Sequence, residues 1–281
     1  MKPFEDATQT RRIKRVKNGA CQTCDDILVV EEPLEIRVGN RRFTATMRTP
    51  GDDFHLARGL LFSEGVISSL DDIGQMRFCD AGEIAEFGGD ENDARNILQI
   101  QLRHSNVAPH LWERNIISNS SCGLCGKASI EALRARVAPL PPGGTVDSQL
   151  LESLTHKLRA AQKMFEATGG THAAGIFDSR GEALAMFEDI GRHNATDKAI
   201  GFGLQSGFLP HSKNEPLILL VSGRASFEIV QKALVARISI VASVSAASSL
   251  AAQLAGENNQ TLVAFLRGEN FSILAGSERV V

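Results

Sequence analysis

Apolar and polar positions follow two different rhythms in the two halves of the chain. In the first half the spacing is strand-like: residues 27–30 and 34–38 carry apolar side chains in a β pattern, and Gly39 with Asn40 marks a hairpin turn. Residues 41–47 form the predicted return strand. Asp52 or Asp53 then caps a predicted helix that runs to about Phe62, with Leu56, Leu60 and Leu61 on its apolar face and Ser63, Glu64 and Gly65 closing it. The Gly- and acid-rich stretch 80–93 reads as loop, and 97–102 as a strand. These elements define a small N-terminal α+β domain over residues 21–145. The basic residues Arg11, Arg12, Lys14, Arg15 and Lys17 make 1–20 a disordered, solvated arm.

Pro139, Pro141, Pro142, Gly143 and Gly144 form the clearest linker. Beyond it, over 146–281, short apolar strands alternate with helices. A helix is predicted over 148–165, strands over 173–177 and 183–187, and a helix from Asn194, a natural N-cap. Strand 217–221, helix 226–237, strand 239–242, helix 246–254 and strands 262–266 and 271–274 complete the series. Strands apolar on both faces that alternate with helices predict an α/β layer with a largely parallel sheet. In such sheets ligands sit at the carboxyl ends of strands, beside helix N-termini. His172, Asp189, Asn194 and Arg224 fall in glycine-containing loops of that kind, and so does the turn 266–269. None of these loops matches the P-loop or the dinucleotide fingerprint.

Composition narrows the function classes. A net charge of −3 gives no general attraction to nucleic acid or anionic membrane. Aromatics are scarce, with fourteen Phe, one Trp (Trp112) and no Tyr, which argues against a stacking platform for single-stranded nucleic acid. No apolar run has the length of a membrane span, and the basic N-terminus has no apolar segment behind it, so the expected location is cytoplasmic.

The chemistry concentrates in thiols. Ser120 and Ser121 precede Cys122, Gly123, Leu124, Cys125, Gly126 and Lys127, and an apolar row at helical spacing follows (Ile130, Leu133, Val137). A cysteine at a helix N-terminus beside a lysine is biased toward thiolate, its nucleophilic form. The same C-x-x-C spacing also suits a zinc knuckle. Cys21 and Cys24 make a second pair, and Cys79 beside Phe78 reads as a small buried side chain. About a hundred residues separate the two pairs, far beyond the usual spacing for one shared zinc.

Five stretches in order resemble the FdhD family, the formate dehydrogenase accessory sulfurtransferases. They are Cys122 to Gly126, Thr168 to Ala174, Glu188 to Asn194 with Asp197 and Lys198, Ser222 to Ser226, and Val244 to Ser248. The resemblance runs from about Glu32 to the C-terminus. It implies two domains, the second a cytidine-deaminase-like α/β/α layer. It implies a sulfur carrier and not a deaminase, and no His-x-Glu with a matching Pro-Cys-x-x-Cys is present to hold a catalytic zinc. Members of the family take persulfide sulfur from a cysteine desulfurase and pass it to the molybdenum (or tungsten) bis(molybdopterin guanine dinucleotide) cofactor destined for formate dehydrogenase. By match to the family pattern Cys122 is the persulfide carrier and Cys125 the second thiol. The cofactor-binding segment falls on Phe265, Leu266, Arg267, Gly268, Glu269 and Asn270. His172, Asp189, Asn194 and Arg224 are the expected guanine and phosphate contacts, with Asp189 accepting from the guanine edge, and a GDP-like nucleotide is expected to suit the same site. The resemblance also implies a homodimer. The competing reading is a zinc-stapled cofactor-binding chaperone that transfers no sulfur.

Overall fold

The charge run at the N-terminus is not a loose arm. In the computed structural model, which describes residues 6–86, 91–104 and 137–281, β1 (Thr8–Lys17) pairs antiparallel with β2 (Ala20–Val29) along its whole length. The two strands turn through Asn18 and Gly19, both at positive φ, as a tight primed turn requires. Opposite charges also face each other across the ribbon, Arg11 against Asp26 and Arg12 against Asp25, and Arg15 pairs with Asp26 at 2.9 Å. The expectation of disorder over 1–20 is therefore corrected for β1. The Asn18-Gly19 turn brings the basic strand against an acidic one, and that pairing orders it.

Next come β3 (Glu32–Val38), β4 (Arg41–Arg48), α1 (Asp53–Glu64), β5 (Ile73–Phe78), α2 (Ala81–Glu86) and β6 (Ile97–Leu102). The strands form a four-stranded sheet in the order β4-β3-β6-β5, with β3 and β6 parallel. Leu34, Ile36, Val38, Phe43, Leu98 and Ile100 are buried, as are Leu56, Ala57 and Leu61 of α1. The predicted strands and helix are present. β5 was not predicted, because its burial follows no two-residue alternation. Part of the predicted loop 80–93 is helical, in α2.

The second half contributes α3 (Ser148–Ala161), α4 (Lys163–Thr168), β7 (His172–Phe177), β8 (Ala183–Asp189) and α5 (Arg192–Gln205). It continues with β9 (Ile218–Val221), α6 (Phe227–Val235), β10 (Ile240–Ser243), α7 (Ser249–Glu257), β11 (Thr261–Arg267) and β12 (Asn270–Ala275). The six strands run in the order β12-β11-β10-β9-β7-β8. Only β9–β10 and β10–β11 are parallel; β7–β8, β7–β9 and β11–β12 are antiparallel. The sheet is therefore mixed, not largely parallel. The connections explain it: β7–β8 and β11–β12 turn through a few residues with Gly181 and Gly268 at positive φ, too short for a crossover.

Successive residues of β9 bury opposite faces, Ile218 and Leu220 toward α3 and Leu219 and Val221 toward α5 and α6. Leu151, Leu154 and Leu158 of α3 cover the first face. The core on the second face runs on without a break into the small sheet through α1 and α5. These two helices cross at Gly59 and Gly201, where a Cβ on either would overlap backbone of the partner helix.

The expected linker is a fixed strap. Leu140 is buried and its backbone exchanges hydrogen bonds with Asn258 O (2.9 Å) and Asn259 Nδ2 (3.1 Å). Gly144 N–H donates to Asn214 O at 3.1 Å. Arg237 holds the carbonyl of Ala138 and Arg279 that of Pro141, each at 2.7 Å. Among the described residues no helix is long and apolar enough to cross a membrane.

Candidate functional site

The carboxyl ends of β8, β9, β10 and β11 and the start of β7 share one edge of the large sheet. His172 stands opposite Asp189 and Ala174 opposite Val221, while a single bridge joins Ala225 to Ala247 across the next loops. Helices α5, α6 and α7 begin at this edge behind Gly191, Ser226 and Ser248. Helix N-termini carry partial positive charge and free N–H groups, which favours anions.

Cationic side chains add to that field. Arg192 opens α5, and its buried Nε has no hydrogen-bond partner in the protein. Burial, then the neighbouring Arg224, lowers the Arg192 pKa. Arg224 is exposed. Burial, with Arg192 and Arg224 close by, pushes the His172 imidazole down and keeps it neutral near pH 7. Gly223 lies beneath this group: a Cβ there would sit 3.2 Å from His172 Nδ1 and 3.6 Å from Arg192 Cδ. The result is a shallow anion-attracting edge built by three loops.

Beside it, His193 Nε2 lies 3.1 Å from Ser226 Oγ and 3.8 Å from Glu228 Oε2. Burial, followed by the charges of Arg192 and Lys232, pushes its pKa down to about 4. It is a neutral hydrogen-bonding group at physiological pH.

Two expected contacts have another job. Asp189 is fully buried. It accepts from Gly191 N–H (2.8 Å), Asn194 Nδ2 (2.9 Å) and Thr49 N–H (3.2 Å), and pairs with Lys198 Nζ at 2.8 Å. With its lone pairs committed, it is not the guanine acceptor expected from sequence. Asn194 is also not the cap, since Gly191 holds that position. Its Nδ2 also donates to Met47 O at 2.7 Å, and its Oδ1 accepts from Thr46 Oγ1 at 3.2 Å. Both residues tie β4 and the loop after it to the sheet edge. Deeper in α5, Asp197 pairs with Lys232 at 2.7 Å, and burial pushes its carboxyl up to about 6.

The segment expected to hold the cofactor forms the end of β11 and its turn. Phe265 is 47% exposed at φ 57°, in a bulge, and its N–H donates to Ser245 O at 2.9 Å. Leu266 is buried. Arg267 Nε donates to Val244 O at 3.2 Å, and Gly268 and Glu269 make the turn into Asn270. The fold thus brings His172, Arg224 and the Phe265–Asn270 segment to one sheet edge. Met47, Thr49 and Lys232 contribute to this region too, yet no motif in the sequence marked them.

Cys122 and Cys125 lie outside the described residues. Cys21 and Cys24 lie three apart in β2, so their side chains point to opposite faces of the ribbon and do not form a chelating pair. Cys79 is buried as expected, and burial, then Glu83, raises its thiol pKa.

Known proteins resemble the chain over nearly its full length. The model of the FdhD/NarQ family matches residues 29–281. The sulfur carrier protein FdhD of Streptomyces avermitilis is 46% identical over 97% of this chain and 95% of its own length. That of Mycobacterium tuberculosis is 43% identical over 98% and 99%. A crystal structure of a protein assigned as a formate dehydrogenase accessory protein, from Desulfotalea psychrophila, superposes with a TM-score of 0.75. It covers 98% of this chain and 100% of its own at 22% identity, a likeness of fold.

Proposed function

Because this chain belongs to the FdhD/NarQ family, we propose that it is a sulfur carrier that serves formate dehydrogenase, with Cys122 as the acceptor. The observation that carries the reading is full-length similarity to proteins named sulfur carriers, in a chain that holds the Cys122, Gly123, Leu124, Cys125, Gly126 motif.

In loading, the Cys122 thiolate attacks the outer sulfur of a persulfide on a cysteine desulfurase. The donor's sulfur–sulfur bond breaks, its cysteine leaves as thiolate, and Cys122 holds the persulfide. One thiolate is consumed and one released, so the step needs no outside oxidant. In delivery, the Cys125 thiolate attacks the inner sulfur on Cys122. A Cys122–Cys125 disulfide forms, hydrosulfide passes to the metal centre of the cargo, and a thiol reductant restores the dithiol. A reducing cytoplasm suits this cycle.

The cargo is the molybdenum or tungsten bis(molybdopterin guanine dinucleotide) cofactor, and its guanine-nucleotide end docks at the sheet edge. Arg192 and Arg224 meet phosphate oxygens, the starts of α5 and α6 add N–H donors, and neutral His172 supplies a further hydrogen bond. Asp189 and Asn194 hold the edge in place and make no contact with the cargo. Support for this reading comes from the gathering of Arg192, Arg224 and the starts of α5 and α6 at one sheet edge.

Intact-protein mass spectrometry tests the central step. Wild type, Cys122→Ala and Cys125→Ala are each incubated with a cysteine desulfurase and free cysteine. One added sulfur on wild type, absent from Cys122→Ala, establishes the carrier. No added sulfur on any form, with a zinc adduct in native spectra, would sink it in favour of a metal-stapled chaperone.

A further inference from the structure

The opposite edge of the large sheet, where β9 and β10 begin, holds a second cationic feature. A cavity of about 360 Å³ opens there, between the strap 137–144, the loop before β9 and the residues just ahead of β10. Its size lies within the range of small-molecule sites, about 300–1,000 Å³. Arg237, Arg279 and Lys213 line it, with His211 and Ser239, against one exposed carboxylate, Glu215.

Two groups on its wall are buried without a partner. Arg279 is 2% exposed; its NH2 donates to Pro141 O at 2.7 Å, and its NH1 lies 3.9 Å from the mostly exposed Glu278. Its Nε meets no acceptor in the protein, and neither does the hydroxyl of Ser239. A buried guanidinium keeps its charge, so Arg279 leaves positive charge at the cavity wall that acceptors within the protein do not fully satisfy. Arg237 is anchored to the carbonyls of Ala138 and Pro139, which fixes a second guanidinium at the same wall. Lys213 is exposed and adds a further positive charge to the lining. His211 Nε2 donates to Glu215 O at 2.7 Å, which ties down the loop that carries both charges.

We infer that this cavity binds a small multivalent oxyanion, the phosphate group of a small molecule or free phosphate, at a site separate from the edge that carries Arg192 and Arg224. Two arginines anchored by backbone carbonyls, with Lys213 at the same opening, gather positive charge around one cavity, which favours a multivalent anion over a monovalent one. The strap is the chain segment that leads on from the Cys122 and Cys125 stretch, so an anion here would tighten its attachment to the sheet.

Calorimetric titration of the full chain with inorganic phosphate, and separately with glucose 6-phosphate as a sugar phosphate, tests this. Both are run in an Arg224→Ala background, which weakens binding at the opposite edge, and the changes at Lys213 and Ser239 assign whatever binding persists to this cavity. Saturable binding of either should persist there. Adding Lys213→Glu should weaken it about tenfold and Ser239→Ala severalfold, as expected for loss of a charge-assisted and a neutral hydrogen bond. Phosphate-free melting temperatures of both variants should match their parent. Tighter binding of the sugar phosphate identifies an organic phosphate as the ligand, and equal binding identifies phosphate itself. No saturable binding in the Arg224→Ala background, or binding that Lys213→Glu and Ser239→Ala leave unchanged, would overturn the inference. Neither result bears on sulfur loading of Cys122 or on the Arg192 edge.

Discussion

Asp189 and Lys198 form an ion pair at 2.8 Å with both side chains withdrawn from water, and each also holds the backbone of Thr49. Thr49 N–H donates to Asp189 Oδ2 at 3.2 Å, and Thr49 O accepts from Lys198 Nζ at 3.0 Å. Asp189 ends β8 and Lys198 lies in α5, whereas Thr49 follows β4 of the small sheet. One pair of charges therefore fixes the first half of the chain to the edge where His172, Arg192 and Arg224 gather.

Removal of either partner leaves an uncompensated buried charge. Lys198→Met or Asp189→Leu should each cost about 3–5 kcal/mol. The double change Asp189→Leu/Lys198→Met should cost less than the two single costs added together, because the second change removes a charge already stranded. Urea denaturation followed by circular dichroism measures both. Single-variant losses below about 1 kcal/mol would show that Thr49 is held by other contacts.

The elements were largely legible, because periodicity in 34–38, 41–47, 97–102 and 217–221 reflects which faces are buried. Sheet direction was not: apolar β9 and β10 look alike whichever way their neighbours run, and the short turns at Gly181 and Gly268 disclose the β7–β8 and β11–β12 hairpins but not the antiparallel β7–β9 pair. The site was legible as loops and not as contacts. Asp189 and Asn194 stand in a charge-rich motif beside a helix start, which fits ligand binding and internal latching equally well. What separates the two is the presence of Met47 and Thr49, roughly 140 residues earlier in the chain.

The crossing of α1 and α5 leaves no room for a methyl group. A Cβ at Gly59 would overlap the carbonyl of Asp197, and one at Gly201 that of His55. Backbone cannot give way as a side-chain tip does, so Gly59→Ala and Gly201→Ala should each destabilise by about 3 kcal/mol or more. Gly256 in α7 supplies the control. An added Cβ there meets only Ala275 Cβ, at 3.9 Å, so Gly256→Ala should stabilise by about 0.5–1 kcal/mol. Equal effects at the three positions would show that the helices separate at little cost.

His193 gives stability a predictable pH dependence. Its folded pKa, about 4, lies below the ordinary value of 6.5, so between these pH values the unfolded chain takes up a proton that the folded protein refuses. The contribution is complete above about pH 6.5 and is lost as pH falls toward 4, a loss of about 3 kcal/mol for a shift of this size. Asp197, pushed up to about 6, acts in the opposite sense: folded protein binds its proton more tightly, so stability is gained as pH falls below 6. Total acid sensitivity is therefore muted, and the comparison of His193→Gln with wild type isolates the histidine. The variant should lose less stability than wild type between pH 7 and 4.5, by about 2–3 kcal/mol. A difference between the two proteins that does not change with pH would rule the assignment out.

The three cysteines in described segments provide an internal comparison for Cys122. Cys21 is exposed and Cys24 half-buried, but they face opposite sides of β2, so their Cβ atoms cannot reach the roughly 3.8 Å that a disulfide requires. Neither thiol can resolve a persulfide on the other without undoing the ribbon. Cys79 is buried with a raised pKa, which makes it a poor nucleophile. A Cys21→Ser/Cys24→Ser/Cys79→Ala variant should therefore take up sulfur from a desulfurase as wild type does, with its uptake abolished by adding Cys122→Ala. Mass spectrometry after alkylation locates the added sulfur by peptide. Uptake lost in the triple variant while Cys122 remains intact would move the acceptor to the N-terminal ribbon or to Cys79, and Cys122 would then be left with the metal-staple role.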